Sequence, residues 1–270
     1  MSPDPRDAVA SFAEAARAEP LDLGEAALRL ALGEEPQLDL APWRAQLEEL
    51  GLGLRTRLEA GGAPLDVLRG YLFGELGLLG NEADYYDPRN SYLHLVLRRG
   101  LGIPISLSVV ALEVGRRAGL ELFGVGFPGH FLVGAPEGVY LDSFRQGRLL
   151  DVEQCADLLH ELTGGRVPFD PGLLAPSPPR AILERMLRNL KGCHLRRGEL
   201  DLALLDVERL LALQEEPRER RDRGLIQLAR GDLAEAERDL LAYLETDPSD
   251  AAEVREELER GRRRLGEDWI

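Results

Sequence analysis

The sequence predicts an α+β protein with a helical N-terminal region, a core containing a small antiparallel sheet, and a C-terminal tail of helical repeats. Three observations predict this. Apolar residues recur at spacings of three and four before residue 80 and after residue 180. Between these regions, short strand-like segments separated by glycine and proline follow one apolar helix. In the tail, the run that begins at Gly198 matches the run that begins at Gly231, an offset of 33 residues.

These patterns set the expected domain boundaries. We expect the helical region at 1–80, the core at 81–165, a proline-rich linker at 166–180 and the helical tail at 181–270. Prolines and glycines divide the first region into separate amphipathic segments. The helices predicted there are Ala8–Ala18, Asp22–Leu32, Trp43–Leu58 and Leu65–Leu79.

The core begins with helices and continues with strands. A helix capped by Asn90 or Ser91 is expected to run to Arg99. Pro104 then begins a helix with one apolar stripe, and Gly119 ends it. Three short segments after this helix have the composition of strands, with a hairpin turn between the second and the third. They are Leu122–Phe127, His130–Val133 and Val139–Phe144.

Composition and charge exclude several classes of function. The chain has 270 residues, 44% of them hydrophobic, with a formal net charge of −15. Binding to nucleic acid or to an anionic membrane needs a positive face, so we expect neither partner. The first 20 residues have no basic stretch followed by an apolar run. With free, buried thiols expected for Cys155 and Cys193, the predicted compartment is the cytoplasm.

His130 and Asp142 are the strongest candidates for a functional pair. A hairpin turn centred on Pro136 would place them directly opposite each other, with Cβ atoms roughly 5 Å apart. A carboxylate at that distance can orient an imidazole. A register change of one residue would separate them. Asp151 is the nearest alternative orienting group.

Ser106 lies where a nucleophile would benefit from its position. It falls in the first turn of the helix that begins at Pro104, where free N–H groups and the helix dipole favour a developing anion. The alternative is a structural one, in which the Ser106 hydroxyl caps or lines that first turn. Cys155 is not a credible nucleophile, because neighbouring acidic residues disfavour its thiolate.

Four segments together resemble a known family: the N-S-Y-L, G-I-P-I-S-L-S, F-P-G-H-F and L-D-S-F motifs between residues 90 and 144. They are similar to the transglutaminase-like core of a bacterial family often labelled as Sir-type invasion-regulator homologues. A related core occurs in one subfamily of eukaryotic F-box proteins. The tail resembles the tetratricopeptide (TPR) region of the same bacterial family, and the likeness extends over nearly the whole chain.

This resemblance implies a transglutaminase/papain-like core. His130 matches the superfamily histidine and Asp142 its acidic orienter, whereas Ser106 stands at or beside the position of the cysteine nucleophile. A serine hydroxyl ionises far less readily than a thiol and needs a base in contact with it. The leading hypothesis is therefore a pseudoenzyme that acts as a protein-interaction scaffold or regulator, with a protein or peptide partner. If the frame is otherwise intact, Ser106→Cys should create a reactive thiol.

Two other functions compete with the scaffold hypothesis. One is an active serine-type hydrolase or acyltransferase that uses Ser106, His130 and Asp142 on an amide or ester. The other is the transcriptional regulator that the family label suggests, although the charge of −15 disfavours direct DNA contact.

A second group of residues is a candidate for ligand binding. Tyr86, Arg89 and Asn90 could hold a ligand or an oxyanion, or Asn90 could serve only as a helix cap. We expect no cofactor. No metal is expected either, because the remaining histidines lack partners at metal-ligand spacing. These are His94, His160 and the histidine of the Cys193-His194 pair.

Overall fold

A computed structural model describes residues 5–266 and divides the chain into two compact units. One unit contains the residues up to Arg17 together with those from Leu187 onward, and the other contains Ala18–Met186. The predicted N-terminal helical region is therefore shared between the units. The outermost parts of the first and last predicted regions, residues 1–4 and 267–270, lie outside the described residues.

The elements follow the α+β organisation that the sequence predicts, so the fold class is confirmed. The helices are α1 (Pro5–Arg17), α2 (Leu23–Arg29), α3 (Ala41–Glu59), α4 (Pro64–Arg69), α5 (Leu93–Arg99), α6 (Pro104–Ala118), α7 (Val152–Thr163), α8 (Pro179–Arg197), α9 (Leu200–Leu213), α10 (Pro217–Arg230), α11 (Leu233–Leu244) and α12 (Ala251–Gly266). The strands are β1 (Leu79–Gly80), β2 (Leu101–Gly102), β3 (Phe123–Val125), β4 (Leu132–Gly134), β5 (Tyr140–Asp142) and β6 (Arg148–Leu150). A 3₁₀ turn, Leu30–Gly33, extends α2, and a π-helical turn, Gly70–Glu75, extends α4.

Helix α6 is the centre of the larger unit. Every residue from Pro104 to Gly115 is buried, and helices α2, α3 and α5 and strands β3 and β4 pack around the helix. The sequence predicted burial along one apolar stripe only. The remaining positions include three small residues, Ser106, Ser108 and Gly115, beside which neighbouring elements can approach closely. The polar groups at the start of α6 must therefore find partners inside the protein.

Strands β3 to β6 form an antiparallel sheet in sequence order. The predicted pairing centre at Pro136 is wrong, because Val133 pairs with Leu141 and Gly134 with Tyr140, which puts the centre at Glu137. Strand β6 was not predicted.

A second, parallel pair joins β1 to β2 and was also missed. The helix predicted to reach Leu79 ends instead in a π-helical turn, Gly70–Glu75. Gly77 follows in the left-handed region with φ of +68°, which turns the chain into strand β1.

The proline-rich segment packs against the antiparallel sheet. Leu174 belongs to the same buried cluster as Leu132 and Leu150. The Ser177 N–H donates to the carbonyl of Gly124 in β3 at 2.8 Å. The Ser177 hydroxyl accepts from the N–H of Gly126, the residue after β3, at 2.9 Å. This segment thus connects α7 to α8 and also completes the packing of strand β3.

The smaller unit contains the helical repeats. Helices α9 to α12 each pack on the next, and the N-terminal helix α1 packs on α9. Phe12 of α1 is fully buried, with the guanidinium of the buried Arg209 5.9 Å from its ring centroid. His194 Nδ1 lies 2.8 Å from Asp206 Oδ2 in the same interior, where burial raises the pKa of the Asp206 carboxyl. Helix α1 therefore supplies apolar surface that the first repeat buries.

Replacing Phe12 by alanine should lower the free energy of unfolding by about 3–5 kcal/mol, because the cavity left in the α1–α9 packing cannot be filled. Urea denaturation followed by circular dichroism measures this. The matched control is Leu241→Ala on the exposed face of α11, expected to change stability by no more than about 0.5 kcal/mol. Equal effects of the two substitutions would contradict the packing of α1.

Candidate functional site

His130 lies in a tight turn immediately before strand β4. Its N–H donates to the Phe127 carbonyl at 3.0 Å, and Gly129 occupies the left-handed region with φ of +70°. Arg185 of helix α8 stabilises this turn, because its Nη2 donates to the carbonyls of Phe127 at 3.0 Å and His130 at 2.6 Å. The backbone that carries His130 is thus fixed at both ends.

The His130 ring contacts Asp142, as the sequence predicted. His130 Nε2 lies 2.7 Å from Asp142 Oδ1, and both residues are buried. The same oxygen accepts from the N–H groups of Phe144 at 3.1 Å and Arg145 at 3.3 Å. These bonds fix the carboxylate at the end of strand β5.

The contact survives although the predicted register is wrong. With the turn centred one residue later, the register places Asp142 across from Leu132 rather than from His130. Moving the centre of the hairpin by one residue moves the residue opposite Asp142 by two positions. Because side chains alternate with a period of two, His130 stays on the same face of the sheet as Asp142 and reaches it diagonally.

Aromatic rings connect the buried histidine to the surface. Phe144 is edge-on to His130 at 6.1 Å between ring centroids, Tyr85 is edge-on to Phe144 at 5.8 Å, and Tyr86 is edge-on to Tyr85 at 5.3 Å. Tyr86 is 52% exposed, whereas His130 is 4% exposed. The buried imidazole is thus linked to the surface by a series of ring contacts.

The second oxygen of Asp142 is unsatisfied. Asp142 Oδ2 is buried and has no hydrogen-bond partner among residues 5–266; the Arg145 Nε lies 3.9 Å from it. An unpaired buried carboxylate oxygen is costly, and such groups in native proteins usually mark a functional or hydrated position.

Ser106 is fully buried, and its hydroxyl forms hydrogen bonds with backbone groups. Its hydroxyl donates to the Asn90 carbonyl at 2.5 Å and accepts from the Ile103 N–H at 3.1 Å. In the described part of the chain, no hydrogen bond joins Ser106 to His130. The hydroxyl therefore fastens the start of α6, the structural alternative that the sequence left open, and does not contact the base that a serine nucleophile needs.

Asn90 organises the loop that precedes α5. Its Oδ1 accepts from Asn81 Nδ2 at 3.0 Å, and its Nδ2 donates to the Asp84 carbonyl at 2.7 Å. The cap prediction is wrong, because α5 begins at Leu93 with Tyr92 as its N-cap. The Oδ1 of Asn90 also lies 3.4 Å from Arg99 Nη1 and its Nδ2 3.4 Å from the Tyr85 carbonyl, so ligand contact by this side chain would require breaking one of these bonds.

The other two predicted binding residues are on the surface. Arg89 is 59% exposed in its side chain and pairs with the buried Asp87 at 2.8 Å. Tyr86 is half exposed at the outer end of the aromatic series. The structure thus separates these side chains from the buried amide of Asn90.

Two further contacts were not predicted. Ser108 of α6 donates its hydroxyl to that of Ser143 at 3.1 Å; both serines are buried, and Ser143 directly follows Asp142 in the chain. The sequence feature that could have indicated this bond is Ser143, the serine of the L-D-S-F motif. Arg185 gave no signal, because nothing distinguishes it from the other arginines of an amphipathic helix.

Two paired glycines allow the site elements to approach closely. Gly80 pairs with Gly102 between β1 and β2. A Cβ on Gly80 would lie 2.6 Å from the Phe144 carbonyl oxygen, and one on Gly102 would lie 2.8 Å from Ser106 Oγ. A side chain at Gly80 would push the turn after Asp142 away from β1, and one at Gly102 would push the start of α6 away from β2.

Comparison with known proteins identifies the family of this chain. A family model described as the transglutaminase-like superfamily matches residues 41–188, a range that contains Ser106, His130 and Asp142. The chain belongs to the transglutaminase-like superfamily. A tetratricopeptide-repeat model matches residues 190–261, so the predicted repeat tail is confirmed.

Relatives of this transglutaminase-like chain are found in bacteria and in animals. A UPF0162 protein of Xylella fastidiosa is 42% identical over 86% of this chain and 86% of its own length. One from Pseudomonas aeruginosa is 36% identical over 72% of this chain and 73% of its own. F-box only protein 21 of Mus musculus is 35% identical over 50% of this chain and 22% of its own length. The comparison with solved structures yields no significant match.

Substituting Gly80 by alanine should lower the free energy of unfolding by about 1–3 kcal/mol, because the added methyl overlaps the Phe144 backbone. Thermal and urea denaturation measure the loss. Gly74→Ala is the matched control, since a Cβ there meets no atom within 4 Å and the change should stay within about 1 kcal/mol. A Gly80→Ala variant as stable as the control would contradict the close approach.

Proposed function

We propose that this protein is a non-catalytic transglutaminase-like protein that binds a protein partner, with serine in place of the family's cysteine nucleophile. The observation that carries the proposal is the buried Ser106 hydroxyl, which donates to the Asn90 carbonyl at 2.5 Å. A hydroxyl that donates its proton to a backbone carbonyl cannot donate it to an imidazole at the same time.

The chemistry of serine strengthens this argument. Serine nucleophiles act only when a base removes the hydroxyl proton as the bond to the substrate forms. His130 is held by Asp142 at 2.7 Å and by the turn around it, and Ser106 is held by Asn90 and Ile103. Bringing the two together would require breaking buried hydrogen bonds at a cost of about 1–3 kcal/mol for each group left unpaired.

The repeat tail supports the binding role. Tetratricopeptide repeats generally mediate protein interactions, and residues 190–261 match that family. We place the protein in the cytoplasm, because Cys155 and Cys193 are both buried and neither forms a disulfide, as is usual for proteins of reducing compartments. In the described part of the chain, no helix has the length and apolar content that crossing a membrane requires.

A serine-type hydrolase or acyltransferase is the competing function. The observation in its favour is the His130–Asp142 contact, which has the geometry of a base held by its orienting carboxylate. This alternative needs a second conformation in which Ser106 leaves Asn90 and contacts the imidazole.

Hydrolysis of p-nitrophenyl acetate distinguishes the two functions. We expect the wild-type rate to equal that of Ser106→Ala and of His130→Gln, because no nucleophile is activated. All three rates are measured on protein shown to be folded by circular dichroism, since Ser106→Ala leaves buried partners unpaired. Wild-type turnover at least tenfold above both variants would establish the serine enzyme and overturn the proposal.

Alkylation of an introduced thiol tests the geometry without a substrate. The sequence alone suggested that Ser106→Cys would be reactive, but the structure predicts the reverse because position 106 is fully buried and faces the Asn90 carbonyl. With iodoacetamide at pH 8, the introduced thiol should react as slowly as Cys155, whose pKa burial raises to about 12. Peptide-level mass spectrometry gives both rates in one sample. Faster alkylation at position 106, abolished by His130→Gln, would contradict the account.

A further inference from the structure

The larger unit has two neighbouring apolar grooves that the site above does not use. They have volumes of about 540 Å³ and 440 Å³ and lie on either side of the segment Leu120–Leu122. Both are lined by this segment, here called the Glu121 ridge, and by Pro136 of the hairpin turn. Each is within the size range of pockets that hold ligands or side chains.

The grooves are distant from the His130–Asp142 contact. The smaller groove is lined by Gly119, which ends α6, and by the Ala135–Glu137 turn of the β4–β5 hairpin, and the larger groove is lined by Pro136 of the same turn. His130 and Asp142 are at the opposite, open end of the same hairpin, and Ser106 is at the opposite end of α6. Three strand residues, about 10 Å of chain, separate the two ends of the hairpin.

Apolar side chains form the walls of both grooves. Isolated exposed apolar residues are common, but contiguous apolar walls on two sides of one ridge are typical of an interaction surface. The walls include Leu112, Phe123 and Ile182 on one side and Leu65, Val139 and Leu149 on the other.

Two carboxylates at the grooves have no counter-ion. Glu121 lines both grooves and Glu137 lines the smaller one; within residues 5–266 neither forms an ion pair. The other acidic groups there are neutralised, since Asp66 pairs with its neighbour Arg69 at 3.0 Å and Glu113 pairs with Arg116 at 3.0 Å. No arginine or lysine of the described residues lines the smaller groove, and Arg116, which lines the larger one, pairs with Glu113 and Asp22.

We propose that the Glu121 ridge is a docking site for a peptide segment of a partner protein, in which an arginine or lysine stands between two apolar residues. The cation would meet Glu121 on the ridge, with Glu137 nearby, while the flanking apolar side chains enter the grooves on either side. A second copy of this chain is a poor occupant, because its net charge of −15 would bring like charges to the ridge. The proposal refines the protein-binding role suggested above and rests on it.

An array of synthetic peptides tests the predicted pattern on the full-length protein. Each fluorescein-labelled peptide has the form Gly-Ser-X-B-Z-Ser-Gly, where X and Z are Leu, Val or Phe and B is Arg, Lys, Gln or Glu. Fluorescence anisotropy should show saturable binding for Arg or Lys at B, weakened by added salt, and little for Glu. Equal binding of all four classes, or none, would overturn the proposal.

Substitutions then locate the site. Glu121→Gln should weaken binding of the Leu-Arg-Leu peptide about fivefold, the ratio expected for one exposed ion pair, and Glu121→Gln with Glu137→Gln more than about tenfold. Glu153→Gln removes an exposed carboxylate outside the grooves and should leave binding unchanged. A loss no larger than that of the Glu153→Gln control would place the peptide elsewhere and overturn the docking site.

Methyl NMR provides a readout that does not depend on charge. Saturating peptide should shift the methyl signals of Leu122 and Leu149 in the grooves, but not those of Leu205, which is buried in the other unit. Shifts confined to the tail would overturn the docking site while leaving the protein-binding role of the repeats in place. The assays on Ser106 are unaffected by either result.

Discussion

The complete burial of helix α6 is the constraint on which the rest of the larger unit depends. Because helices and strands surround this helix, the polar groups of its first turns cannot be satisfied by water. Ser106 bonds to Asn90 and Ile103, and Ser108 bonds to Ser143. These bonds fasten α6 to the loop before α5 and to the residue that follows β5.

The His130–Asp142 contact has a structural role in the fold. Asp142 collects three donors at one oxygen, which closes the turn after β5, and Arg185 closes the turn that carries His130. Losing the side chain of His130 or of Asp142 would leave buried groups without hydrogen bonds, so each residue contributes to the stability of the fold. Under the proposed non-catalytic function, this structural role would be a sufficient reason to retain both residues.

Sequence patterns predicted what depends on periodicity and on local motifs. The α+β class and the repeats followed from the spacing of apolar residues and of repeated motifs. The His130–Asp142 contact followed from strand alternation, which keeps both residues on one face when the strand register moves by two residues. The strand pair β1–β2 was missed because a two-residue strand has no alternation to detect. The Ser106 hydroxyl could not be assigned either, since its partner, the carbonyl of Asn90, is a backbone group brought there by tertiary packing.

The central claim is that the Ser106 hydroxyl serves as a structural group and not as a nucleophile. A fluorophosphonate probe, which forms a covalent adduct only with an activated serine, tests this directly on the native wild-type chain. After incubation, tryptic peptides are analysed by mass spectrometry, with a catalytically active serine hydrolase labelled in parallel. The account predicts no adduct on the peptide that contains Ser106. An adduct at Ser106 that disappears in the His130→Gln variant would contradict it.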